Sequence, residues 1–71
     1  MIYLVTWTEL DFGNRFEFVG TKKEAAKTLA SLKRGPGSVG VDVIYPIEEV
    51  ETPKTKREVL SLLNRCLQLG N

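Results

Sequence analysis

The chain has 71 residues, of which 42% are hydrophobic, and its ten basic and nine acidic side chains give a formal net charge of +1. This length predicts a single domain, residues 1–71, with a small core, and the near-neutral charge gives no overall attraction to nucleic acid or to a membrane. The sequence contains no histidine and one cysteine, Cys66, which excludes an internal disulfide and leaves no ligand set for a structural zinc ion. We expect a cytoplasmic protein, because no segment approaches the ~20 apolar residues of a membrane span and no secretory signal opens the chain. We also expect no metal and no cofactor.

Residues 2–19 predict a β-hairpin. Residues 2–8 alternate between two faces, turn residues occupy positions 11–14, and residues 15–19 resume the alternation. We expect the rings of Tyr3, Trp7, Phe16 and Phe18 to share the valine face. Since large rings on that face would pack into the core, the pattern disfavours a sheet that stacks RNA bases on exposed aromatics.

Two helices are predicted, each opened by a capping box, Thr21 with Glu24 and Thr55 with Glu58. The first should run to about Arg34 and end at residues 35–37, where glycine tolerates a positive φ. Its predicted apolar face comprises Ala25, Ala26, Leu29, Ala30 and Leu32. The second should continue to Gly70 with an apolar face formed by Val59, Leu60, Leu62, Leu63, Cys66, Leu67 and Leu69.

A third strand is predicted from the alternation of Val39, Val41, Val43 and Tyr45, with Pro46 as its end and residues 47–54 as an acidic connector. The fold class is therefore α+β with the order ββαβα, a three-stranded, mainly antiparallel sheet of order 2-1-3 and two helices. The face beneath the first helix should hold Tyr3, Val5, Trp7, Phe16, Phe18, Val39, Val41, Val43 and Tyr45. The outer face should hold Thr6, Thr8, Arg15, Glu17 and Asp42.

Catalytic and nucleotide-binding signals are weak. Residues 35–40 match the letters of a dinucleotide-binding fingerprint, but they follow a helix and enter a strand, so they offer no helix N-terminus to a phosphate. Cys66 lies on the apolar helix face without a neighbouring base, as a small core residue would. We therefore expect a protein that is not an enzyme.

Charge is segregated along the chain, and each cluster suggests a partner. Basic residues could follow a phosphate backbone, which makes direct nucleic-acid binding an alternative function; they are Lys23, Lys27, Arg34, Lys56 and Arg57. Glu48, Glu49 and Glu51 could instead imitate phosphates in front of a basic channel.

Apolar residues beyond the core predict a protein-binding surface. The second helix is apolar over about half its circumference, more than one sheet can cover, so the other flank of the core, a second copy or another protein should cover the remainder. Candidate contact residues on this helix and the outer sheet face are Leu60, Leu69, Ile2, Leu4 and Ile44. Leu10 and Phe12, near the hairpin tip, either anchor a partner or fold back beneath their own loop.

The leading prediction is a non-enzymatic protein-interaction module, a homodimer, that regulates or inhibits a nucleic-acid-handling machine. In size and organisation the chain resembles small bacterial or bacteriophage accessory proteins, a resemblance that transfers no residue's role. The alternatives are direct nucleic-acid binding and a purely structural assembly subunit.

Overall fold

The computed structural model describes residues 1–35 and 38–69. Its elements are β1 (Ile2–Glu9), β2 (Gly13–Val19), α1 (Lys22–Arg34), β3 (Val41–Ile44), β4 (Glu48–Val50) and α2 (Lys56–Leu69). The sheet has the order β2-β1-β3, all pairs are antiparallel, and β4 also pairs with β1. The α+β class and the 2-1-3 order are confirmed, but the prediction of a plain connector over residues 47–54 is wrong because β4 lies within it. No helix in the described residues is long and apolar enough to cross a membrane.

The register of the hairpin separates the phenylalanines from the valine face. Glu9 pairs with Gly13 across a three-residue loop, and Gly13 has φ +75°, a left-handed conformation that suits glycine. With three loop residues, even-numbered positions face even-numbered ones, so Phe18 lies opposite Leu4 and Phe16 opposite Thr6. The predicted placement of both rings beneath α1 is therefore wrong.

The same register places two charged residues of β2 on the α1 side of the sheet. Arg15 lies opposite Trp7, and Glu17 lies opposite Val5. Their predicted location on the outer face is wrong for the same reason, since an odd loop length keeps odd-numbered residues together.

The core beneath α1 is formed by Val5, Trp7, Ala25 and Leu32, all of which are buried. Partly buried side chains surround it, namely Tyr3, Val19, Val41, Ile44 and Ile47. Ala26 and Ala30, predicted for the apolar face of α1, are exposed. At ~100° per residue they lie more than 90° from Ala25 and Leu32, which explains the error.

An irregularity in β3 breaks the alternation that the sequence suggests. Trp7 pairs with Ile44 and Glu9 with Val41, so the register shifts between the two pairs, and both Val41 and Ile44 pack against the α1 core. The outer position predicted for Ile44 is thus wrong. Three residues predicted as buried are exposed: Val39 (86%), in a turn before the strand, Val43 and Tyr45.

A second helix covers the opposite face of the sheet. Leu4 is only 1% exposed, although it points away from the α1 core, and it lies opposite Glu48 of β4. Arg65 of α2 pairs with Glu48, and α2 contacts β2, the strand that carries Phe16 and Phe18 on this face. The two rings are arranged edge to face, with their centroids 5.9 Å apart. The sheet therefore lies between α1 and α2.

Both predicted helix caps are present, and they differ in the hydrogen bonds that they form. The Oγ1 atom of Thr21 accepts from the Glu24 N–H at 3.1 Å, and the Thr21 hydroxyl donates to the Glu24 carboxylate. The cap of α2 is more complete, because the Glu58 carboxylate accepts from the backbone N–H groups of Lys54 (2.6 Å) and Thr55 (3.3 Å). The Glu58 N–H in turn donates to Thr55 Oγ1 at 3.2 Å.

The end of α1 depends on close packing instead of the predicted positive φ. Gly35 has φ −93°, so the predicted reason for glycine at this residue is wrong. A Cβ atom at Gly35 would lie 2.9 Å from the Cα atom of Ser31, so any other residue would force the backbone at the end of α1 to shift. Pro36, Gly37 and Gly70, the other predicted helix-stop residues, lie outside the described residues.

Candidate protein-binding surface

One flank of α2 exposes four large apolar side chains. Val59, Leu60, Leu63 and Leu67 are 42–69% exposed, and we call them the α2 apolar flank. At ~100° per residue they occupy one continuous stripe along the helix. The half-buried residues Leu62 and Cys66 form a neighbouring stripe that faces the sheet.

The contacts on the other side of α2 fix the direction of this flank. Glu58, Ser61, Leu62 and Arg65 line a depression of about 260 Å³ together with Val50, Glu51, Thr52 and Pro53. The Arg65 guanidinium donates to the Glu48 carboxylate, and this hydrogen bond and the opposite charge raise the pKa of Arg65. That side of α2 therefore faces β4. Since β4 and β2 lie on opposite sides of β1 and α2 also contacts β2, the α2 apolar flank lies on the side of the helix away from β4, toward the β2 edge of the sheet.

The β2 edge is long and regular. Its seven residues pair continuously with β1, and within the described residues β2 has no second neighbour. The other side of β1 is divided between the four-residue β3 and the three-residue β4, with Pro46 between them. Because an edge strand presents unpaired backbone N–H and C=O groups, the β2 edge is the better template for another strand.

A smaller apolar surface lies at the hairpin tip. Leu10 is 73% exposed and Phe12 is 72% exposed, so neither folds beneath the loop. The Leu10 N–H donates to the Gly40 carbonyl at 2.9 Å, which brings the exposed Val39 close to the tip. The Arg15 guanidinium lies 5.8 Å from the centre of the Phe12 ring, within cation–π range.

The structure brings only some of the predicted contact residues to one surface. Leu60 belongs to the α2 apolar flank, whereas Leu4 is buried and Ile44 packs on the α1 side, so neither of these two lies on that surface. Ile2 is half-buried, and the side chain of Leu69 lies outside the description.

The three predicted phosphate mimics do not share a face. Glu48 lies opposite Leu4 on the α2 side and is paired with Arg65, whereas Glu49 lies opposite Tyr3 on the α1 side. Glu51 is exposed just after β4. One of the three charges is thus already compensated within the chain.

The basic residues are also divided between the two sides of the sheet. The exposed Lys23, Lys27 and Arg34 follow the outer side of α1, while Lys56 and Arg57 begin α2 on the opposite side. A single nucleic-acid strand could not follow all five without crossing the sheet. Direct nucleic-acid binding through this set stays a prediction.

Within residues 1–35 and 38–69, no three metal-ligating side chains lie close enough together to hold an ion. The structural feature that sequence reasoning missed is the β2 edge beside the α2 apolar flank. Its signal in the sequence was the pair of opposite charges, Arg15 and Glu17, two residues apart on one strand.

Comparisons with protein-family models, with curated proteins and with solved structures found no significant match to this chain.

Proposed function

We propose that this chain is a non-enzymatic protein-binding module whose contact surface is the α2 apolar flank together with the β2 edge. The observation that carries the proposal is the exposure of Val59, Leu60, Leu63 and Leu67 on a helix whose opposite flank is seated against β4 and the connector that follows it. Scattered apolar residues are normal on a protein surface, but four in one stripe are typical of an interface.

The size of the α2 apolar flank indicates that it would not bind a partner tightly without a further contact surface. Fully burying one such side chain is worth ~1.5–3 kcal/mol, so burying the exposed halves of four would contribute roughly 3–6 kcal/mol. Association costs about 4–15 kcal/mol in lost translational and rotational freedom. The flank alone would therefore give weak binding, and the adjoining β2 edge can supply backbone hydrogen bonds in addition.

Regulation or inhibition of a nucleic-acid-handling machine is one form of this proposal. One of the three glutamates considered as phosphate mimics, Glu48, is already engaged by Arg65. This form depends on the same apolar surface as any other protein partner.

Site-specific photocrosslinking tests the surface directly. A benzoylphenylalanine in place of Leu63 would sit within the α2 apolar flank, and one in place of Gln68 would point ~140° away on the same helix. In cells that express either variant, irradiation should give a covalent protein adduct from position 63 and none from position 68. No adduct from position 63, or equal adducts from both, would show that the flank is not a binding surface.

A further inference from the structure

We propose that the partner of this surface is a second copy of the chain, joined through antiparallel pairing of the two β2 edges with a two-fold axis at Phe16. The inference rests on the proposed function and names its partner. The resulting sheet would run continuously through both copies, and the two α2 helices would lie on the same side of it.

The β2 edge is complementary to itself in charge. With the axis at Phe16, Arg15 of each copy lies directly opposite Glu17 of the other, so two opposite-charge pairs form. Both side chains are exposed and lie on the α1 side of the sheet. Moving the axis to residue 15 or to residue 17 would instead place two like charges opposite each other, which is unfavourable.

The other side of the same edge is apolar. Phe16 points toward α2 and is half-buried in the single chain. At the proposed axis it meets Phe16 of the second copy. The edge therefore offers backbone groups, two ion pairs and an aromatic contact in one register.

The position of α2 completes the interface. Strands in a sheet lie ~4.8 Å apart, so β2 would lie ~2.4 Å from the two-fold axis. Because α2 contacts β2, the two α2 helices would lie side by side across that axis. The α2 apolar flank is on the side of the helix away from β4, so Leu60 and Leu63 would face the α2 apolar flank of the other copy.

Charge exchange across the edge is the test. Light scattering of the purified chain should give twice the 8.0 kDa mass of one copy. Arg15→Glu alone and Glu17→Arg alone each create two like-charge pairs, so each should weaken dimerisation by about tenfold or more. An equimolar mixture of the two variants restores both opposite-charge pairs and should form a heterodimer. The double variant, Arg15→Glu with Glu17→Arg, should form a homodimer again.

The mixed sample controls for damage to the fold. Arg15 also lies 3.9 Å from the Glu9 carboxylate, so its replacement could disturb the hairpin. A disturbed hairpin would not be repaired by mixing, whereas a lost interfacial pair would. Rescue in the mixture therefore supports the β2 edge contact, and its failure contradicts it.

The outcomes separate this inference from the proposed function. A monomeric chain, or a dimer that ignores both charge changes, overturns the β2 pairing. If position 63 still crosslinks to a different protein, the proposed function stands without the dimer. If position 63 gives no adduct and the chain is monomeric, both fail.

Discussion

Truncation of Leu4 to alanine is the most direct test of the packing between the sheet and α2. Leu4 is 1% exposed and lies on the sheet face away from α1. Removing a buried leucine side chain typically costs 2–5 kcal/mol, because apolar contact is lost and a cavity remains. A domain of this size has a free energy of unfolding of roughly 4–11 kcal/mol, so Leu4→Ala should remove a large share of it.

Urea denaturation followed by fluorescence gives the measurement. Trp7, the one tryptophan, is buried on the α1 side, and its indole N–H donates to Glu9 at 2.8 Å, so it reports global unfolding from the face opposite Leu4. For a small domain, the free energy of unfolding falls by ~1 kcal/mol for each 1 M increase in urea concentration. We therefore expect Leu4→Ala to lower the midpoint by about 2 M or more.

Leu10→Ala is the matched control, because it makes the same chemical change at a side chain that is 73% exposed. Its midpoint should move by no more than about 0.5 M, as for most surface substitutions. All variants are compared at one protein concentration, since association with a partner raises apparent stability. Equal shifts for Leu4→Ala and Leu10→Ala would refute the burial of Leu4 beneath α2.

Two further substitutions test the helix ends by the same denaturation assay. Gly35→Ala should lower the free energy of unfolding by about 1–3 kcal/mol, because the new Cβ atom would meet the backbone of Ser31 at 2.9 Å. Gly20→Ala is the control and should be nearly neutral, because the nearest atom to its Cβ would be 3.9 Å away. Similar costs for the two substitutions would argue against close packing at the end of α1. Glu58→Ala removes the acceptor of two backbone N–H groups at the start of α2 and should cost about 1 kcal/mol. Glu51→Ala, a change at an exposed glutamate before the helix, should cost less than about 0.5 kcal/mol, and an equal loss would contradict the capping role.

The elements that were predicted correctly are those that short stretches of sequence encode. Thr21 and Thr55 cap their helices through side-chain and backbone groups within four residues, and the hairpin is signalled by alternation around a glycine. These interactions are local, so neighbouring residues suffice to predict them.

The wrong predictions concern which face of the sheet a residue occupies, because this depends on loop length and strand register and not on the local sequence pattern alone. Whether Phe16 and Phe18 lie above or below the sheet depended on a loop of three residues, since a loop one residue shorter or longer would have reversed both. The irregularity between Trp7 and Glu9 placed Val41 and Ile44 on one side, although they are three residues apart. Such shifts follow from how the strands fit together.

The proposed binding surface could be predicted only in part. The width of the apolar face of α2 could be counted from its residues, and the count indicated that one sheet could not cover it. Which side of α2 stays exposed depended on the contact between Arg65 and Glu48, two residues 17 positions apart. The predicted 2-1-3 order already placed β2 at an edge of the sheet, whereas its position beside the α2 apolar flank depended on the packing of α2.

The central position of β1 determines the order in which its two faces can be covered during synthesis. The ribosome delivers β1 before all of its partners, and by residue 34 the chain already contains Val5, Trp7, Ala25 and Leu32, the whole buried core beneath α1. Leu4, on the same strand, has no cover until α2 emerges after residue 56. A nascent chain of this length therefore has all four buried residues of the α1 side but no cover for Leu4, and the uncovered side is the one that a chaperone would meet.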